Sequence, residues 1–243
     1  MSFRLGCLPH DPAKLAALPP ARFGMVPPAY QVPCPDWQPE MWGNDTLPDC
    51  TVVALGNSGR AWSHKFGGTD LSIPQPAINT LYARSIGMPG ATDAQLAATD
   101  GADPMLVVET AQATGWNVGG EVPLVPDFRA GGLAVQEVAR AIDRAGCAML
   151  ALTLYEGDME AFDAGQEWLR APSGPVVGGH MVGVCGYDGM GPAWPAFIAT
   201  WAKWQPASWQ WISARVRLSL VAGWRQLCAP GADYPAEWGA AEG

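Results

Sequence analysis

Residues 43–50 read Gly-Asn-Asp-Thr-Leu-Pro-Asp-Cys, and the chain then turns apolar through Thr51-Val52-Val53-Ala54-Leu55. A polar turn that ends in an aspartate and runs into an apolar stretch is the start signal of a helix. The spacing predicts a helix from Asp49, as N-cap, through Val52, Val53, Leu55, Ala61 and Trp62 to the Gly67-Gly68 pair. Gly56 and Gly59 weaken such a helix in isolation, so packing on both sides has to hold it. Cys50 falls in the first turn, where the positive end of the helix dipole favours thiolate over thiol. A cysteine there is equally an ordinary small core residue, and the charge of Asp49 opposes the dipole.

A nucleophilic cysteine needs a base, and the chain has only three histidines. His64 lies fourteen positions along the same helix, about 21 Å of axial rise, and cannot reach Cys50. His10 lies in a proline-rich stretch. His180 heads an apolar segment, Met181-Val182-Gly183-Val184-Cys185-Gly186-Tyr187, that reads as a strand. Gly178 and Gly179 before it allow close backbone approach, which suits the floor of a cleft. The plainer alternative is a strand-end histidine hydrogen-bonded into the core.

Outward from these two points, residues 1–40 carry nine prolines between Pro9 and Pro39 and predict an extended arm lying on the body or on a partner. Further helices are expected at 75–86, 103–115 and 133–145, and strands at 147–154, 180–187, 196–201 and 208–220. In the last of these, Trp211, Ser213, Arg215, Arg217 and Ser219 alternate with Ile212, Ala214, Val216, Leu218 and Leu220. Helices first and antiparallel strands after make an α+β chain in two halves. The expected divisions are an arm (1–40), a domain (41–225, mainly helical to 130 and mainly β from 131) and a tail (226–243). Residues 156–161 read as a solvated turn into a helix. Trp194, Trp201, Trp204, Trp209 and Trp211 are either an aromatic cleft wall or, more simply, strand packing.

Composition narrows the function. The 243 residues are 49% hydrophobic and 15% charged, enough to fold around a real core. A formal charge of -9 has the wrong sign for neutralising phosphates, so nucleic acid is not an expected partner. No apolar run approaches the ~18 residues of a bilayer span, and the first twelve residues lack a secretory apolar region. The expectation is a soluble protein with no membrane partner. Six scattered cysteines read as thiols; no metal site and no cofactor is expected.

With these residues in place the chain resembles papain-like cysteine peptidases. In that family a glutamine six positions before the catalytic cysteine helps form the oxyanion hole; here Asn44 holds the position. His180 to Tyr187 is similar to the family's histidine strand, and the 130 positions from Cys50 to His180 resemble the family's separation. The resemblance covers about residues 40–222 and implies a two-lobed fold with a helical N-terminal lobe and an antiparallel, barrel-like C-terminal lobe. It implies Cys50 as nucleophile and His180 as base; Trp201, which follows the orienter position, and Gly179 are expected to line the site. The family's histidine-orienting asparagine is replaced by Ala199, so Thr200 or a backbone carbonyl holds the imidazole, or nothing does. Pro48-Asp49-Cys50-Thr51 also departs from the family's Gly-Ser-Cys-Trp.

Two functions follow. The first is a thiol hydrolase, a cysteine peptidase or amidase acting on a peptide or a peptidoglycan-like stem. The second rests on a looser resemblance, carried by the Asn-Asp-x-x-x-Asp-Cys start, the His-x-Val strand and the Thr-Trp segment, to papain-like proteins of tailed bacteriophages. It implies a structural or accessory virion protein, made in the host cytoplasm, with other virion proteins as partners.

Overall fold

The computed structural model describes residues 3–23, 31–119, 122–169, 171–232, 234 and 238. Within them a mainly helical half precedes a six-stranded antiparallel sheet. Residues 24–30 of the expected arm, and most of the expected tail past 232, lie outside the described residues. Among the described residues of the first forty positions, α1 (Pro12–Ala17) is helical rather than extended. Asp11 caps it by accepting from the Ala13 amide, and Pro12 stands in the first turn, where a missing N–H costs nothing.

The expected central helix is α2 (Cys50–Trp62), continued by a π-helical turn at Ser63–Gly67 and stopped by Gly68 with φ 66°. Every residue of α2 is buried. Its glycines serve close packing: a Cβ on Gly56 would lie 2.7 Å from the Trp42 ring. Arg60, also buried, forks onto Asp70 at 2.8 and 2.6 Å and lies over the Trp37 ring. The helical half is completed by α3 (Gln75–Ser85), α4 (Asp93–Ala97) and α5 (Pro104–Thr114), the last closing at Gly115 with φ 65°. In α6 (Val135–Ala145), Val138, Ala139, Ala141, Ile142 and Ala145 form one buried face, as their spacing requires.

The strands are β1 (Asp127–Ala130), β2 (Ala148–Tyr155), β3 (Val176–Tyr187), β4 (Pro195–Thr200), β5 (Lys203–Ser208) and β6 (Val216–Gly223), in the order β1-β6-β2-β3-β4-β5. The central β3 packs on α2, which brings the middle of the histidine strand under the helix that starts at Cys50. The β4 to β5 hairpin turns through Trp201 and Ala202, with φ 43° and 59°. Two left-handed residues match the twist of such a hairpin, but neither is the glycine or asparagine that adopts it without strain.

Two expectations are corrected. The strand expected over 208–220 is broken by α8 (Trp209–Ser213), because the Ser208 hydroxyl caps a helix by accepting from the Trp211 amide at 3.1 Å. The turn expected at 156–161 is α7 (Glu156–Asp163), and its Asp158 is not solvated but buried. Asp158 accepts from Arg215 at 2.9 and 2.7 Å and from the Trp211 indole at 2.8 Å. That fully partnered pair joins α7 to α8, a contact no local pattern announces. Among the tryptophans, Trp201, Trp209 and Trp211 are core residues and Trp194 is exposed.

Candidate active site

The N-terminus of α2 lies against the middle of β3, the strand that carries His180. The Met181 amide, next in the chain to His180, donates to Cys50 Sγ at 3.4 Å. His180 Nε2 meets Thr200 Oγ1 at 2.7 Å, so threonine, the residue left to hold the imidazole, is in contact with it. The imidazole also lies flat on the Trp201 indole, with centroids 4.2 Å apart and planes 14° apart. His180 Nδ1 is buried with no hydrogen-bond partner. When Nε2 carries the proton and donates to Thr200, Nδ1 holds the lone pair, the arrangement a general base requires.

The remaining candidates are placed as follows. Asn44 Nδ2 donates to Leu47 O and to Asp49 Oδ1, each at 3.0 Å, which commits both of its protons. Asp49 stands at the N-cap position of α2, yet its side chain makes no cap. Its Oδ2 is buried and unpartnered, and burial raises its pKa to about 8. The Gly179 carbonyl accepts from the Cys7 amide. His64, set aside on geometry, is 3.3 Å from Asp70 at the far end of the helix.

Residues 3–8 run alongside both elements of the site. The Cys7 amide donates to Gly179 O at 3.0 Å, Leu8 N–H to Ala102 O at 3.0 Å, and Ala102 N–H to Gly6 O at 2.8 Å. This segment spans from the turn before α5 to the histidine strand. It runs so close that a Cβ on Gly6 would meet Pro48 O at 2.0 Å, one on Gly101 would meet Gly6 O at 2.0 Å, and one on Gly179 would meet Cys7 O at 2.0 Å. Phe3 stacks on Trp201, the indole that His180 also touches. Cys50 and His180 are 0% and 1% exposed.

Burial sets the charge state. Burial pushes the Cys50 thiol up to about 12, outweighing the Met181 and Gly6 amides that stabilise its thiolate. Burial alone pushes His180 down to about 3. The dipole argument for a thiolate is therefore overridden in this state: the pair is a neutral thiol and a neutral imidazole.

Sequence reasoning missed Gly6, Cys7, Ala102 and Phe3 because they act from distant segments. The only local hint was glycine where a turn or close approach was needed, at 6 and 101. The surface cavities along α3, about 290 and 540 Å³, are lined by neither Cys50 nor His180.

Known structures agree with this architecture. Xylellain, a cysteine protease from Xylella fastidiosa, superposes with a TM-score of 0.62 at 13% identity, covering 91% of this chain and 96% of its own. The fold is papain-like. A proCathepsin B S9 from Trypanosoma congolense gives 0.61 at 12% identity, covering 92% and 87%. The Carica candamarcensis cysteine protease CMS1MS2, solved in complex with E-64, gives 0.51 at 13% identity, covering 75% and 91%. No family model matches the sequence, and no curated protein matches it. Among the described residues, no helix is long and apolar enough to cross a membrane.

Proposed function

We propose that the chain is a latent thiol hydrolase that cleaves an amide bond in a peptide or peptidoglycan-like substrate, with Cys50 as nucleophile and His180 as base. The observation that carries this reading is the meeting of Cys50 with the strand of His180, marked by the Met181 amide on the sulfur, while Thr200 holds the far side of the ring. The papain-like fold supports it, since the similar structures are named as cysteine proteases.

In the productive form, residues 3–8 leave the groove and substrate backbone takes over the Gly179 and Ala102 hydrogen bonds. Water and substrate reach the pair, and proton transfer from Cys50 to His180 Nδ1 becomes accessible. The thiolate attacks the carbonyl carbon; the imidazolium returns its proton to the leaving amine; water then hydrolyses the thioester with the imidazole again as base. The Cys50 backbone N–H faces the developing oxyanion, and Asn44 joins it only by giving up Leu47 or Asp49. Trp201 shields the Thr200 bond from water.

The test is hydrolysis of a panel of peptide amides and peptidoglycan stems, with and without residues 1–9. Turnover that appears on shortening, is blocked by E-64 and is lost in Cys50→Ala supports the reading. A shortened chain that stays folded, exposes Cys50 to iodoacetamide and hydrolyses nothing refutes it, and leaves the virion-protein reading, for which assembly contacts rather than turnover are the readout.

A further inference from the structure

Cys147 and Cys185 lie outside the proposed site and are used by nothing in it. Cys147 separates the C-terminal glycine of α6 from β2. The β2 to β3 ladder pairs Met149 with Gly183 and Ala148 with Val184. One step further, the same register sets Cys147 opposite Cys185. Directly opposed residues in an antiparallel pair have Cα atoms about 4.5 or 5.5 Å apart, inside the range a disulfide spans.

The sulfurs are turned to the same face. The position of a Cβ built on Gly183 is 2.9 Å from Cys147 Sγ and 3.6 Å from Cys185 Sγ. Gly183 thus leaves open the space in which the two thiols converge, and a side chain there would part them. Burial, and after it the neighbouring Cys147 thiol, hold the Cys185 pKa well above the usual thiol range. Both are almost fully buried, and both are free thiols. The segment bearing the exposed Cys34 passes nearby, since Pro33 O would lie 2.7 Å from a Cβ on Gly186.

We infer that Cys147 and Cys185 are a redox couple that closes, under a peroxide, to a cross-strand disulfide bolting β2 to β3. One thiol is oxidised by hydrogen peroxide to the sulfenic acid, releasing one water. The second thiol attacks that sulfur, forming the S–S bond and releasing another water. Two thiols lose two electrons in total and one peroxide becomes two waters. Because both thiols are buried and burial keeps Cys185 protonated, closure is slower than oxidation of the exposed Cys34. Once closed, it ties together the strand that carries His180 and its neighbour, whether or not the chain is a hydrolase.

The full-length protein is treated with hydrogen peroxide, denatured, alkylated with iodoacetamide and digested. The expected product is a linked peptide pair containing Cys147 and Cys185, released by a phosphine reductant and accompanied by a higher thermal midpoint. It persists in Cys34→Ala and is absent from Cys147→Ala. Alkylation of both residues after peroxide treatment that has fully oxidised Cys34, or a bridge from either one to Cys34, overturns the inference. Since the linked pair is read in the wild-type chain, the outcome does not depend on how a variant folds.

Discussion

His180 is held between two neighbours in sequence: Thr200 at 2.7 Å on its Nε2 edge and Trp201 at 4.2 Å on its face. The first anchors the Nε2 edge and the second packs on the ring face, so the ring is oriented without an asparagine. Removing the hydroxyl strands a buried ring nitrogen. Thr200→Ala is expected to cost about 1–3 kcal/mol, read as a fall of ~2–4 °C per kcal/mol in thermal midpoint. Thr200→Ser, which keeps the hydroxyl, is expected to recover most of it. Equal midpoints for the two variants would show that the bond contributes nothing.

The Trp201-Ala202 turn contains strain that one substitution can relieve. Ala202 sits at φ 59°, a region that costs an L-residue roughly 1–2 kcal/mol and glycine nothing. Ala202→Gly is expected to raise stability by about 1 kcal/mol after the entropy that glycine adds to the unfolded chain. Chemical denaturation checks the sign. A lower midpoint would mean that the Ala202 methyl makes a compensating contact.

Gly6 borders the sulfur, its amide being one of the groups that stabilise the Cys50 thiolate. A methyl there would meet Pro48 O at 2.0 Å, so Gly6→Ala is expected to lift residues 3–8 while leaving the core intact. In the wild type, iodoacetamide is expected to label the exposed Cys34 before Cys50, whose pKa of about 12 leaves almost no thiolate at neutral pH. In Gly6→Ala, Cys50 labelling is expected to rise at least about tenfold as its pKa falls toward an ordinary value. An unchanged rate would show that the segment does not govern access.

Asp49 makes stability depend on pH. Its pKa is about 8 in the folded chain against 3.8 when exposed, so between these values the folded state binds the extra proton. Stability therefore falls as pH rises from about 4 to about 8 and is level above that, with a slope on the order of 1 kcal/mol per pH unit. Asp49→Asn keeps an acceptor for Asn44 and removes the titration. The variant is expected to match the wild type near pH 4 and to exceed it at pH 8. Parallel denaturation midpoints across that range would place the carboxyl's folded pKa near its unfolded one.

The local elements were legible in the sequence because each is written by its own residues. The buried face of α6 repeats at helical spacing, Pro104 and Gly115 bracket α5, and the glycines of α2 announce the packing that Trp42 supplies. The lack of an asparagine at 199 pointed to Thr200, and Thr200 Oγ1 lies 2.7 Å from His180 Nε2. Where tertiary partners decide, the local pattern misled. The alternation over 208–220 reads as one strand, but Asp158 from another helix accepts Trp211 and Arg215 and stabilises a helical turn. Residue type alone could not show that Asn44 spends both protons on its own turn. Nor could it show that residues 3–8 return across the chain to run beside the sulfur, since charge state follows burial and burial is a property of the whole packing.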